Sequence, residues 1–183
     1  PHPGRGRGFH VLVCYGEGRT DADRAARFEY GLKLLDRVAC PLLVGDIPDA
    51  SLATNSGIIS VTQVPSEAAR ATANLRLRKW AAARPNVTVV PLDNFMSAVK
   101  ANRAIVGHNI SVPDGKTFTM LQDDRLHPNS CGAALLSLGI LDAFVSHNQE
   151  IPVQAVSWDL KEVRRRGLEE ALSGKRTLAS STP

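Results

Sequence analysis

Three short apolar runs, each followed by a stretch with helical periodicity, constrain the fold of this chain most strongly. The runs are FHVLVCYG at 9–16, PLLVG at 41–45 and VTVVPL at 87–92. Continuous apolar character is typical of strands buried on both faces, as in parallel sheets covered by helices. The order strand, helix, strand, helix, strand, helix predicts an α/β fold with three layers, a mostly parallel sheet between helices on both faces.

Caps and apolar stripes locate the helices. The first is expected from Thr20 to about Val38, the second begins at Ser66-Glu67, and a short one covers 94–100. A longer helix is expected over 129–145, with Asn129 or Ser130 as its N-cap. The expected core faces are Ala25, Phe28, Leu32 and Leu35 in the first helix, Ala69, Ala73, Leu77 and Trp80 in the second, and Ala133, Leu136, Ile140 and Phe144 in the last.

The remaining segments predict one domain over 9–172, preceded by a disordered Pro/Gly/Arg lead-in at 1–8 and followed by a disordered tail at 173–183. Residues 52–65 read as a long polar connection. Residues 104–121 contain the turn signal Pro113-Asp114-Gly115 and indicate a hairpin or an excursion. Residues 158–172 form a second amphipathic piece that favours packing rather than partner binding.

Composition excludes several function classes. The net charge is +4, but residues 9–149 are nearly neutral and aromatics are only 5%, which argues against a nucleic-acid partner. No run approaches the roughly 18 apolar residues of a membrane span. Cys14, Cys40 and Cys131 have no zinc spacing; the first two are expected to be buried small hydrophobes, and the compartment stays undetermined.

The segment Asp124-Arg125-Leu126-His127-Pro128 carries the clearest chemistry. An acid three residues before a histidine can accept a hydrogen bond from the imidazole Nδ1–H, at about 2.6–3.2 Å. That bond fixes the tautomer and leaves Nε2 free to act as a base toward a hydroxyl nucleophile. The alternative is structural, with Asp124 capping a turn that leads into the last helix.

Other polar residues have a simpler interpretation. Asp46 and Asp49 with Glu17 suggest a carboxylate metal cluster, but polar loop residues at strand ends are favoured over metal ligands. His108 is expected on a surface turn. Ser51 and Ser130 lie near the expected sheet edge, yet neither stands on a nucleophile elbow. No cofactor and no metal are therefore expected.

With Asp124, His127 and Pro128 ahead of the last helix, and with VGDIPDAS at 44–51, residues 9–146 resemble the SGNH (GDSL-type) ester hydrolases. The resemblance implies Ser-His-Asp acyl transfer on a small-molecule ester, with His127 as base and Asp124 as its orienting acid. It also implies an oxyanion donor after the first strand, where this chain has Gly16 and Glu17. A glutamate donates no hydrogen bond unless it is protonated, so Gly16 offers a backbone N–H while the side-chain donor is missing or comes from elsewhere.

The family's G-D-S segment is missing from the 183 residues. We therefore expect an SGNH hydrolase fold that lacks its N-terminal nucleophile segment, so that the chain alone is inactive and one sheet edge near 9–15 is exposed. The alternative is a catalytically inactive α/β domain that serves as a binding module. A secreted or periplasmic location would follow if the missing segment carried a signal, and the oligomeric state is not determined by the sequence.

Overall fold

A computed structural model of the chain describes residues 20–107, 110–112 and 115–166. The lead-in 1–8, the expected strand 9–15 and the tail 173–183 lie outside these residues. The elements, in chain order, are α1 (Asp21–Leu35), β1 (Leu42–Gly45), α2 (Glu67–Ala82), β2 (Val87–Val90), α3 (Leu92–Lys100), β3 (Ile105–Gly107), β4 (Ile110–Val112) and α4 (Ser130–His147). Four short 3-10 helices join them, at Ser51–Ser56, Val61–Gln63, Thr117–Met120 and Val153–Ala155, and residues 160–166 are helical.

The sheet that the sequence predicts is present in its two described strands. β1 and β2 pair in parallel, with Leu42 opposite Val87 and Gly45 opposite Val90. β3 and β4 form a separate antiparallel pair, so the hairpin predicted within 104–121 is present. His108, expected on a surface turn, lies outside the described residues, as do Pro113 and Asp114 of the turn signal.

The first core joins α1 and α2 to one face of this sheet. Side chains from both helices and both strands form it: Phe28, Leu32, Leu35, Val44, Ile47, Ala73, Leu77, Trp80, Ala81 and Val87. The Ser66 hydroxyl caps α2, and Thr20 caps α1, as the sequence predicts. Trp80 is anchored at its polar edge, because its indole N–H donates to Asp36 Oδ1 at 2.8 Å.

The prediction is wrong for one residue of the apolar stripe of α1. Ala25 is exposed, and the neighbouring Arg24 is buried in its place with 3% of its surface accessible. The Arg24 guanidinium binds Asp21 at 2.9 Å and donates to the Thr62 carbonyl. The ion pair and the hydrogen bond offset the cost of burying the charge, which an apolar pattern cannot anticipate.

The second core lies around α4, and here the predicted face is wrong. Ala133 is exposed and Leu136, Ile140 and Phe144 are only half-buried, whereas the buried side chains of α4 are those of Ala134, Leu135, Leu138 and Val145. The helix is apolar nearly all round, so its periodicity does not define which face turns inward. Trp158, Leu160 and Val163 pack against Leu135 and Leu138, as expected for a packing face.

Cysteine burial also differs from the expectation. Cys40 is exposed rather than buried, because it lies in the connection between α1 and β1 and not inside the strand. Cys131 is half-buried in the first turn of α4. Cys14 lies outside the described residues.

Among the described residues, α4 is long and apolar enough to cross a membrane by length and composition alone. The sequence prediction of no membrane span passed over this helix. A core helix of a globular domain passes the same test, and α4 contacts β2 and buries Leu135 and Leu138. The helix is therefore weak evidence for a membrane span.

Candidate functional site

Asp124 and His127 lie on a short loop that leads into α4. The loop is closed at its base by the Gln122 N–H, which donates to the His127 carbonyl at 2.8 Å, and by a bridge between Leu121 and Pro128. The Gln122 side-chain amide donates to the Pro128 carbonyl at 3.0 Å. Both ends of the loop are thus held by backbone pairing, and the acid and the histidine lie between them.

The two side chains meet at hydrogen-bond distance, inside the range expected from their spacing. His127 Nδ1 lies 2.7 Å from Asp124 Oδ2. The other carboxylate oxygen, Oδ1, accepts from the backbone N–H of Leu126 at 2.9 Å and of His127 at 3.0 Å. The structural alternative is therefore partly true as well, since Asp124 caps the turn with one oxygen and holds the imidazole with the other.

The electrostatics follow from these contacts. The backbone hydrogen bond from His127, the bond to its ring and the backbone bond from Leu126 lower the pKa of Asp124 from 3.8 to about 2. The carboxylate is thus ionised at neutral pH. An ionised carboxylate accepts only, so Nδ1 must carry the proton and Nε2 is the free ring nitrogen of the neutral imidazole.

Arg125 gives the loop an unusual backbone. Its φ is +59°, in the left-handed region that non-glycine residues seldom adopt. The conformation turns the chain between the acid and the histidine, and the Arg125 N–H donates to the Gln122 carbonyl at 3.0 Å. Such strain persists where the surroundings fix it, and it recurs at functional sites.

α4 begins where the loop ends, and Asn129 is its N-cap, one of the two caps that the sequence leaves open. Asn129 Oδ1 accepts from the N–H groups of Cys131 and Gly132, both at 3.0 Å. Gly132 is needed for close packing, because a Cβ atom there would lie 2.1 Å from the Met120 carbonyl oxygen. The first turn of α4 is therefore pressed against the segment that precedes the loop.

The connection after β1 reaches the same loop. The Ser56 hydroxyl lies 2.8 Å from the Asp124 carbonyl and 2.7 Å from that of Ala53. Ser56 ends the 3-10 helix that follows the VGDIPDAS segment. This contact joins the connection after β1 to the Asp124 loop across 68 residues of sequence.

Asp46 and Asp49 are engaged elsewhere. Fully buried Asp46 accepts from the Asp93 N–H at 2.7 Å and from Arg78 at 2.8 Å, and burial raises its pKa. Asp49 pairs with Lys100 at 2.6 Å. Within the part of the chain that the structure describes, no group of three or more His, Cys, Asp and Glu side chains comes together as candidate metal ligands.

The side of the His127 ring that carries Nε2 faces solvent. The His127 side chain is 61% exposed, and no described residue forms a hydrogen bond with Nε2. Ser51 accepts from Lys100 Nζ at 2.8 Å, while the Ser130 hydroxyl has no partner among the described residues. The expected oxyanion positions Gly16 and Glu17 lie outside them.

Ser56 and the double role of Asn129 were not predicted from the sequence. The signal for Asn129 was present, because it directly follows His127-Pro128 and was already a cap candidate. Ser56 has no local signal, since its contact with Asp124 spans 68 residues. No protein-family model, curated protein or solved structure matches the chain. The chemistry of the Asp124–His127 pair is therefore the basis for a functional assignment.

Proposed function

We propose that this chain carries the acid and base of a serine ester hydrolase of SGNH type. His127 would remove the proton from a serine hydroxyl as it attacks an ester carbonyl, and would return that proton to the leaving alcohol. Asp124 would hold the imidazole in the required tautomer and stabilise the imidazolium. The observation that carries the proposal is the 2.7 Å contact between Asp124 Oδ2 and His127 Nδ1.

The exposure of His127 meets a requirement of this function, because its side chain is 61% exposed and no described residue forms a hydrogen bond with Nε2. An acyl-transfer base needs that nitrogen free, because the nucleophile and then the leaving group must reach it. The loop also holds both side chains between fixed ends, which lowers the cost of orienting them for reaction.

The nucleophile in this proposal is a serine on a polypeptide segment outside the 183 residues. The chain has neither a G-D-S nor a G-x-S-x-G segment. The finer architecture is proposed with it, a three-layer α/β fold in which a third parallel strand pairs along the edge of β1 that no described strand occupies. The run 9–15 is the candidate strand, and a strand there would bring Gly16 to the carboxyl edge of the sheet as a backbone oxyanion donor.

The test is turnover of p-nitrophenyl acetate by the protein expressed from its full reading frame. We expect His127→Ala to lower kcat by about 10⁵-fold or more, since triad members act as a unit. Asp124→Asn should lower it by about 10⁴-fold, because the ring remains but the wrong tautomer is favoured. The 183-residue chain alone should stay near background.

Asp123→Asn is the matched control, because Asp123 is the exposed neighbour of Asp124 and has no hydrogen-bond or ion-pair partner among the described residues. It should retain full turnover. Equal turnover by wild type and His127→Ala would contradict the hydrolase proposal and favour a binding module. Turnover by the isolated chain that depends on His127 would keep the base and place the nucleophile within the chain.

A further inference from the structure

Asn129 binds two different parts of the site with the oxygen and the nitrogen of its side-chain amide. Its Oδ1 accepts from the N–H groups of Cys131 and Gly132 in the first turn of α4. Its Nδ2 donates to the Thr119 carbonyl at 2.6 Å and to the Leu121 carbonyl at 3.4 Å. Capping α4 needs only the oxygen, so the amide nitrogen performs a second task.

That second task concerns the segment ahead of the loop. The Asn129 N–H donates to the Met120 carbonyl at 2.9 Å, and the Gln122 N–H donates to the His127 carbonyl at 2.8 Å. Segments 119–122 and 127–129 therefore run side by side, and their register determines where His127 lies. The Nδ2 bonds of Asn129 add side-chain contacts that hold this register from the helix side.

Close packing at the same point makes the register sensitive to Asn129. The Met120 carbonyl lies so near α4 that Gly132 has no room for a Cβ atom. If the amide bonds to Thr119 and Leu121 are lost, nothing else in the first turn of α4 donates to those two carbonyls. Segment 119–122 can then shift against α4, and the His127 ring moves relative to the Asp124 carboxylate.

We infer that Asn129 is a positioning residue for the Asp124–His127 pair, acting through its amide nitrogen on the register of the loop. It touches no reacting atom. The term "positioning" rests on the proposed function, because it presumes that the pair is catalytic. The contacts themselves, and the effect on His127, do not depend on that function.

The experiment separates the role of the Asn129 side-chain oxygen from that of its amide nitrogen. Asn129→Ser and Asn129→Asp both keep a capping oxygen and both remove the amide donor. Ser130→Ala is the matched control, one residue along in the same turn. The measurement is the ratio of the two neutral tautomers of His127 in the 183-residue chain, read from long-range ¹H–¹⁵N correlations. Helix content by circular dichroism shows that α4 is retained.

We expect the ratio of the Nδ1–H to the Nε2–H tautomer to fall about fivefold in both Asn129 variants, the equivalent of one hydrogen bond. Ser130→Ala should leave the ratio unchanged. A wild-type ratio in Asn129→Ser and Asn129→Asp would overturn the inference. Global loss of helix in both variants would also overturn it, because Asn129 would then be needed for folding rather than for His127.

The readout needs no ester, so it is independent of the proposed reaction. A fall in the tautomer ratio with no His127-dependent turnover in the full reading frame would leave the positioning effect intact and remove the hydrolase proposal. An unchanged ratio with His127-dependent turnover would remove the positioning effect and leave the hydrolase proposal intact.

Discussion

At the scale of single residues, Asp124 shows how a short local pattern can define a site. The three-residue spacing lets one carboxylate oxygen accept two backbone N–H groups and leaves the other for the imidazole. Every partner lies within three residues, so the pair was predictable from sequence. A fourth interaction, from the Ser56 hydroxyl to the Asp124 backbone carbonyl, comes from a segment 68 residues away and was not predictable.

The Asp124 carboxyl should titrate near pH 2, well below its ordinary 3.8. Its folded pKa is the lower of the two, so its contribution to stability is present above pH 3.8 and is lost as the pH falls through about 2. In His127→Ala the midpoint should rise but stay below 3.8, because the two backbone donors remain. Carbon-detected NMR of the side-chain carboxyl measures both. A His127→Ala midpoint equal to that of wild type would contradict the role assigned to the ring.

At the scale of elements, the segment after β1 is fixed more firmly than its polar sequence suggests. Asp46 supplies a cap to the first turn of α3, whose own N-cap position is Pro91 and has no side-chain cap. Asp49 pairs with Lys100 in the last turn of the same helix. The two acids that suggested a metal cluster thus hold the two ends of α3. The sequence indicates both acids as candidate ligands but does not indicate which residues they pair with.

Asn74 is a further element-scale contact that the apolar pattern concealed. It is fully buried in α2, three residues before Leu77 and therefore on the core side. Its Oδ1 accepts from the Ile47 N–H at 2.7 Å and its Nδ2 donates to the Ile47 carbonyl at 2.9 Å. A polar residue at a core position is the one sequence signal for such a bond.

Asn74→Ala should lower the free energy of unfolding by about 2–6 kcal/mol, because it leaves the buried N–H and carbonyl of Ile47 unpaired at about 1–3 kcal/mol each. Leu75→Ala, the exposed neighbour in the same helix, should change it by no more than about 0.5 kcal/mol. Urea denaturation of the two variants gives both values. Equal small effects would show that the Ile47 backbone finds other partners.

At the scale of the whole molecule, the strand and helix order was predictable and the packing of α4 was not. β1, β2 and the four helices fall close to their expected ranges because caps, proline breaks and apolar runs are local signals. The buried face of α4 depends on which elements pack against it. A helix that is apolar nearly all round has no local sequence pattern that indicates this face. The predicted open edge beside 9–15 stays a prediction, since that run lies outside the described residues.

The extent of the sheet can be decided at β1. Leu42 and Asp46 donate to the carbonyls of Asn86 and Val90 on the β2 side, at 2.8 and 3.0 Å. Alternation along a strand then points the N–H groups of Leu43 and Gly45 toward the opposite edge, where no described strand pairs.

If a third parallel strand completes the proposed three-layer fold, the amide protons of Leu43 and Gly45 should exchange with solvent as slowly as that of Val44, which faces β2. Hydrogen exchange followed by NMR on the 183-residue chain measures all three in one sample, with Val44 as the internal reference. Leu43 is 47% exposed among the described residues, so a strand pairing there would also cover apolar surface. Fast exchange at Leu43 and Gly45 beside slow exchange at Val44 would mean that the edge of β1 is open in this chain, and it would contradict the proposal that the run 9–15 pairs there.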